Sequence, residues 1–407
     1  MSPMATSLLN GTFIQATETD DYHSQAPLHS NSIVLPALLS AIESNKKGTP
    51  PNIVTGSTFL LASIVGYEVG PRAGMALNGA HMLSMGWHSG AIFGPPAAAA
   101  AVSKLFNLSP LQTEDAIGTA CTQACGLMAA QYEGMVKRMH HGFAARNGLF
   151  SALLARSGYT GIRKVFERPY GGFLAMFSRG SGMTPQYQED EISKGLGSIW
   201  HTEQIKMKAY AACAGTHGLI DCIAEMQKKY PERLANLDSI KSIRIELSAP
   251  TFAHNGWKAE ERPVTSTGGQ MNASYVAATM LVDRQVLLAQ FASSQLDRDA
   301  VWNLVNKTEC IHNADFDKPD HGCGATVTIE FSDGAVLKSL VIKPKGIEPV
   351  LSNEDVVDKW RKLTAPIMDP GRAHKIEAAV LNLEKVSDMR ELISLLGGTV
   401  KDPLSIA

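Results

Sequence analysis

The sequence predicts an α+β protein: a large all-α helical domain with a smaller α+β domain. Three observations carry that expectation. Helix-length apolar stretches fill the first two hundred residues. Strands that alternate apolar and polar residues cluster between Ser239 and Ile342. From Asn353 onward the pattern returns to helix. Helices first and an antiparallel sheet later suit segregated layers better than a doubly wound parallel sheet. The expected units are 1–202 (helical), 203–352 (α+β) and 353–407, a helical return to the large domain.

The elements follow in order. Residues 33–44 and 58–69 are apolar, Ala/Leu/Ser-rich and helix-length. Gly94-Pro95-Pro96 precedes the run 97–106, placing the prolines where a helix start tolerates them. Ser109-Pro-Leu-Gln112 has the spacing of a capping box and opens a helix expected to reach about Met128. Residues 142–157 read as a further buried helix. In the α+β domain, residues 239–248 form a half-buried strand, and 324–331 and 335–342 flank the turn Ser332-Asp333-Gly334 as a hairpin. Helices are expected near 216–229 and 269–288, and 380–396 reads as one amphipathic helix.

Composition excludes several partners. The chain has 407 residues, 44% of them hydrophobic, and a net charge of −2. Its isoelectric point of about 6.6 gives no global attraction to nucleic acid or an anionic membrane. Cationic charge for an anionic ligand must therefore be gathered locally. The six cysteines contain no C-x-x-C pair, which disfavours a zinc ribbon or iron–sulfur cluster. Cys121 and Cys125, four apart, would share a helix face as buried thiols. No secretory signal or bilayer-length apolar run is visible, so a cytoplasmic location is expected. A mitochondrial location stays open if the true N-terminus lies further upstream.

Four segments could carry chemistry. Glu18-Thr-Asp20-Asp21-Tyr22-His23, followed by His29, groups carboxylates and imidazoles; the plainer alternative is a capped helix start with solvated carboxylates. Gly86-Trp-His88-Ser-Gly90 puts a histidine at a loop-to-helix junction, where helix amides attract anions; a lone loop histidine is more often a surface residue. Lys137-Arg138-Met-His140-His141, with Arg146 beyond, places five cationic or imidazole side chains in an otherwise Ala/Gly/Leu-rich stretch. Burying them is unfavourable unless anions pair with them, and a tricarboxylate would supply such anions. Lys206-Met-Lys208 through Cys213 to Thr216-His217 lies where two domains meet, a preferred place for a pocket; the plainer alternative is a helix N-terminus with ordinary surface lysines. No P-loop, dinucleotide fingerprint or nucleophile elbow is present, so no cofactor and no metal are expected.

Taken in order, these segments resemble the MmgE/PrpD family, which includes 2-methylcitrate dehydratases and cis-aconitate decarboxylases. The likeness rests on Phe13-Ile-Gln-Ala-Thr-Glu18, Asp20-Asp-Tyr-His-Ser-Gln-Ala-Pro-Leu-His29, Gly86-Trp-His-Ser-Gly90, Ala120-Cys-Thr-Gln-Ala-Cys-Gly-Leu-Met128, Met135-Val-Lys-Arg138, His141-Gly-Phe-Ala-Ala-Arg-Asn-Gly148, Tyr170-Gly-Gly-Phe-Leu174 and Glu261-Arg-Pro263. It runs along essentially the whole chain and is nearest to the fungal decarboxylases. The resemblance implies a helical domain with an α+β lid, a homodimer, and an active site between the domains. It implies His88, Lys137 and His217 as catalytic residues, with Glu18, Asp20, Asp21, Tyr22, His29, Arg138 and Tyr275 binding substrate. Glu18 and Tyr22 stand where animal decarboxylases look to carry Asp and Thr, and Cys213 where they look to carry His. Members usually carry roughly a further eighty to ninety residues before this opening segment, a domain-scale piece, so a shortened helical domain is expected.

The implied reaction is cofactor-free decarboxylation of cis-aconitate to itaconate, its developing charge held by fixed cations. Dehydration of 2-methylcitrate or an alkylcitrate is the rival reading, using the same clamp with an acid and a base. An inactive paralogue that only binds partners is the third.

Overall fold

The computed structural model describes residues 1–23, 25–45, 53–318 and 321–404. Its first unit contains α1 (Pro3–Ala16), strand β1 (Asp21–His23), α2 (Asn31–Ser44), α3 (Gly56–Ala76) and the single turn α4 (His81–Ser84). It continues with α5 (Ser89–Leu105), α6 (Pro110–Cys121), α7 (Val136–Arg156) and the short α8 (Phe173–Phe177). Strand β2 (Ile205–Met207) pairs antiparallel with β1. This two-stranded ribbon leads the chain out of the helical unit.

The second unit comprises α9 (His217–Lys229), β3 (Ile240–Leu247), α10 (Ala249–Asn255), α11 (Ser266–Met271), α12 (Ala273–Asp283), α13 (Asp299–Val305), β4 (Thr308–His312), β5 (Ala325–Phe331) and β6 (Val336–Val341). Helices α14 (Asn353–Thr364), α15 (Pro370–Leu381) and α16 (Met389–Leu396) follow. Ile376, Met389 and Leu392 join the core of the first unit beside Leu38, Phe59 and Phe93. The second unit has its own core, built around Leu219, Ile243, Tyr275, Phe291 and Ile329.

Helix α5 is the axis of the helical unit, and among its residues only Lys104 is exposed. Its small side chains let neighbours approach closely. A Cβ on Gly148 of α7 would stand 2.4 Å from Ala98 Cβ. Pro95 and Pro96 lie inside this helix rather than at its start. Each proline removes one intrahelical bond, and burial on all sides outweighs that loss.

Other expectations are corrected at element ends. The Ser109/Gln112 capping box forms, but α6 stops at Cys121. Cys125 is therefore exposed rather than sharing a helix face with Cys121. The 269–288 stretch breaks at Asn272, whose side chain caps α12 by accepting from the Tyr275 amide. The 380–396 stretch is the end of α15, a break and α16, where Asp388 caps the new helix. Short polar side chains that compete for backbone amides start new helices at both places. The lid sheet has order β4-β3-β5-β6. The β5–β6 hairpin is antiparallel, whereas β3 and β4 run parallel. The long crossover through α10–α13 permits that parallel pair.

Candidate active site

The site is built where α1 ends over the start of α7. Two glycines let these helices cross: a Cβ on Gly11 would lie 2.9 Å from Gly142 Cα. Helix α1 finishes at Ala16, and Glu18 takes φ +50 just beyond its cap. Glycine usually fills such a left-handed position, and a non-glycine residue there costs roughly 1–3 kcal/mol. What Glu18 supplies instead is a carboxylate inside a nest of cations. Its Oε1 accepts from Lys137 Nζ at 3.1 Å and from Arg138 Nη1. Its Oε2 accepts from Lys208 Nζ. Arg138 Nη2 also donates to Gln270 Oε1 of α11 at 2.6 Å. Lys208 and Gln270 come from the second half of the chain, so this cluster is the seam between the two units.

The β1–β2 ribbon sets the other side of the seam. The Lys208 amide donates to Asp20 O at 3.1 Å, and Lys208 Nζ donates to Asp20 Oδ1, also at 3.1 Å. His29 Nδ1 stands 3.3 Å from Asp20 Oδ2 and 2.7 Å from Asp21 O. Burial alone would raise the Glu18 pKa, but Lys137, Lys208 and Arg138 outweigh it and hold the group well below the ordinary range. Asp20 is likewise held down against burial, by Lys208 and His29. Lys208 is pushed up, because Asp20 and Glu18 outweigh its burial. Lys137 moves the other way: burial lowers it more than Glu18 restores it. Three cations (Lys137, Arg138, Lys208) thus face two carboxylates (Glu18, Asp20). A fourth, Lys359 of α14, donates to Lys208 O at 2.8 Å, and burial pulls its pKa down to about 8. The balance favours an anionic guest.

Asp21 stands apart from its neighbour. Its carboxylate accepts from the Ser30 and Asn31 amides at 3.0 and 2.9 Å, at the start of α2. It holds a helix start in place. Burial, then Asp20, pushes its pKa up to about 7.

Imidazoles form the next layer. His88 is the last residue before α5, and its ring stacks on His141 at 4.9 Å and 23°. Its Nδ1 lies 2.9 Å from His140 Nδ1. His141 Nδ1 meets Ser32 Oγ at 2.7 Å, while Ser32 Oγ donates to His29 O at 2.9 Å. Ser32 has one proton and spends it on that carbonyl, so His141 must donate from Nδ1 and keep a bare Nε2. That nitrogen is buried without a partner, against Gly90, where a Cβ would stand 2.2 Å away. Only glycine fits there. Burial, then neighbouring imidazoles and Lys137, lowers the pKa of His88 and His141 well below the usual histidine range, and burial, then Lys137, takes that of His140 to about 4.

His217 opens α9 with its Nε2 buried and unpartnered, and burial, then Lys208, takes its pKa down to about 3. The Tyr22 ring is buried beside Cys323 and Cys213, and burial pushes its hydroxyl up. Cys213 interacts with Glu18, Lys208 and Lys137, and burial raises its thiol. Tyr275 is not brought to the seam. It is fully buried in the lid core against Phe291 and Trp302, and its hydroxyl donates to Gln295 O at 3.1 Å.

Of the sequence-derived candidates, Glu18, Asp20, His29, Lys137 and Arg138 meet in one charge network. His88 adjoins it through His141, and His217 through Lys208. Lys208 and His140, which enter the sequence analysis only as members of segments, are buried with them, Lys208 almost completely and His140 less so than His88 or His141. Ser32 and Gln270 carried no signal, being ordinary helix residues until the chain folds. Among the described residues, no three His, Cys, Asp or Glu are arranged to hold a metal ion. An open cleft of about 520 Å³ lined by His81, Trp87, Leu127 and Arg179 shares none of these groups. The titratable groups therefore gather in the seam rather than in the cleft.

Known proteins resemble this chain along nearly its whole length. The chain is 55% identical to the "Cis-aconitate decarboxylase-like protein oryM" of Aspergillus oryzae, over 97% of this chain and 83% of that protein. It is 48% identical to the "Cis-aconitate decarboxylase" of Aspergillus terreus, over 99% of this chain and 83% of the relative. To the human protein of the same name it is 26% identical, over 98% and 80% respectively. The MmgE/PrpD N-terminal domain matches residues 1–186 and the MmgE/PrpD C-terminal domain residues 210–385, which meet at the seam just described. The chain belongs to the MmgE/PrpD family.

Proposed function

We propose that this chain is a carboxy-lyase that decarboxylates cis-aconitate to itaconate. The observation that carries the reading is the seam itself: buried cations in excess over carboxylates, with neutral imidazoles beside them. Its likeness to proteins named cis-aconitate decarboxylase supports the choice of substrate. Cis-aconitate presents three carboxylates. Loss of CO2 from its methylene arm pushes an electron pair through the double bond towards the carbon bearing the vinylic carboxylate. That carboxylate takes up the developing charge, so cations fixed beside it lower the barrier. Lys137 and Arg138 clamp the carboxylates, exchanging part of their pairing with Glu18 for substrate. Lys208 keeps Glu18 and Asp20 ionised and in place. His88 or His217 delivers the proton that completes itaconate.

No described helix is long and apolar enough to cross a membrane. We place the enzyme in the cytoplasm as a homodimer; light scattering that gives the mass of one chain would overturn the dimer.

The test is NMR of the purified protein with cis-aconitate and, separately, with 2-methylcitrate, beside His88→Asn. Itaconate and CO2 from cis-aconitate, lost in the variant, are the expected result. Water loss from 2-methylcitrate with every carboxylate retained would move the protein to the dehydratases. A folded protein that leaves both acids intact would remove the enzymatic reading.

A further inference from the structure

The seam leaves a chemical problem that its other half answers. A proton must reach the substrate carbon, yet the imidazoles beside the cations are buried and neutral. A neutral imidazole that gives up its N–H alone becomes an imidazolate, an unfavourable species even beside lysines. It avoids that state only if its second nitrogen gains a proton as the first one loses it. Each His ring has two distinct nitrogens, and the partner of one decides what the other can do.

His88 has that second contact. Its Nδ1 is 2.9 Å from His140 Nδ1, hydrogen-bond distance for an N–H···N contact between neutral rings. The two rings are held from independent directions. His88 sits at the start of α5, and its amide donates to Gly126 O at 3.0 Å. His140 lies on the first turns of α7, and a Cβ on Gly126 would stand 3.3 Å from its Nδ1. The same residue thus fixes the backbone of one imidazole and packs on the ring of the other. His141 stacks on the far face of His88 and is no relay, because stacked rings present no N–H to each other.

We propose that His140 is the relay through which His88 regains its proton, the two imidazoles passing one proton from solvent to the substrate carbon as a unit. This rests on the decarboxylase reading. As CO2 leaves, the carbon beside the vinylic carboxylate takes the proton from His88 Nε2. His88 Nδ1 takes the proton from His140 Nδ1, and His140 Nε2 takes one from water. Each ring ends neutral in its other tautomer, and one solvent proton is consumed per CO2 released. The charged and titratable groups facing His88 are His141, Lys137, His140 and His29; Lys137 faces His140. His140 is a positioning and relay residue, not one that touches substrate.

Two measurements test it. In the wild-type protein with 15N-labelled histidine, a nitrogen–nitrogen coupling across the His88–His140 hydrogen bond is expected, and its absence overturns the relay without reference to turnover. His140→Gln keeps a hydrogen-bonding side chain but cannot shuttle a proton. Its kcat on cis-aconitate should fall about 100-fold with KM within threefold, and its solvent deuterium isotope effect on kcat should rise as proton delivery becomes limiting. A wild-type kcat and isotope effect in His140→Gln would overturn the relay and leave decarboxylation intact. Absence of CO2 release by the wild-type protein would instead remove the function on which the relay rests.

Discussion

Two buried ionic clusters flank this helical unit, and they are built differently. At the seam, Glu18 gathers Lys137 and Arg138 from α7 and Lys208 from beyond β2, so its partners come from distant parts of the chain. On α3, Glu68 and Arg72 are one turn apart, with Arg72 Nε 3.5 Å from Glu68 Oε2. There one carboxylate meets one cation, and the remaining bonds go to one loop, through its main chain and the Thr202 hydroxyl. Arg72 donates to Lys194 O and Ile199 O at 2.8 and 2.9 Å, and Glu68 accepts from the Thr202 amide at 2.8 Å. That pair pins the 194–202 loop to α3. Burial alone therefore does not mark a site. The seam differs by its excess of cations, its left-handed Glu18 and its assembly from both units.

The largest expected effect is that of Lys208→Met. The substitution leaves Glu18 and Asp20 buried without their shared cation. Unfolding free energy should drop by about 4–5 kcal/mol, the upper end for breaking a buried pair. Decarboxylation should fall more than about 100-fold. Urea unfolding and a CO2 assay read both. A stable, active variant would break the contrast, because Lys208 would then be no more than a tether.

Glu68→Gln sharpens the contrast from the other side. Arg72 keeps its two carbonyl acceptors, so the loss should sit near about 3 kcal/mol, the low end of the same range. Its kcat/KM on cis-aconitate should stay within about threefold, the scatter expected where no transition-state contact is lost. A fall in activity as deep as that of Lys208→Met would make the two clusters one functional unit.

Much of this was legible in the sequence, and the missing parts share a cause. The helical domain, the lid hairpin and the capping box at Ser109 are local patterns. So is the run Lys137–His141, too cationic for an otherwise apolar helix. What local patterns cannot show is which distant group answers which. Lys208 reads as a surface lysine until β2 pairs with β1 and turns it onto Asp20. His140 reads as one more imidazole of that run until the fold sets its ring against His88. Tyr275 goes the reverse way: the family resemblance implies it in the site, but Asn272 caps α12 and the ring packs in the lid core. Asp21 differs from Asp20 only in facing two free amides of α2, a distinction made by the fold.

The smallest effect concerns pH, where the two halves of the seam titrate in opposite senses. Asp21, raised to about 7, lends stability that is full below its unfolded pKa and is lost as pH rises through about 7. His217, lowered to about 3, does the reverse. Its unfolded form takes up a proton below about 6.5 while the folded form stays neutral, so stability present above that pH is lost on acidification towards 3. At pH 5 that single imidazole should have removed about 2 kcal/mol relative to neutral pH, at 1.36 kcal/mol per pH unit. His217→Asn abolishes this linkage. On going from about pH 7.5 to 5, wild type should therefore lose about 2 kcal/mol more stability than the variant, read from urea unfolding of both proteins at both pH values. Equal slopes in the two proteins would mean that His217 titrates normally in the fold, and that its place beside Lys208 is open to water rather than part of the closed seam.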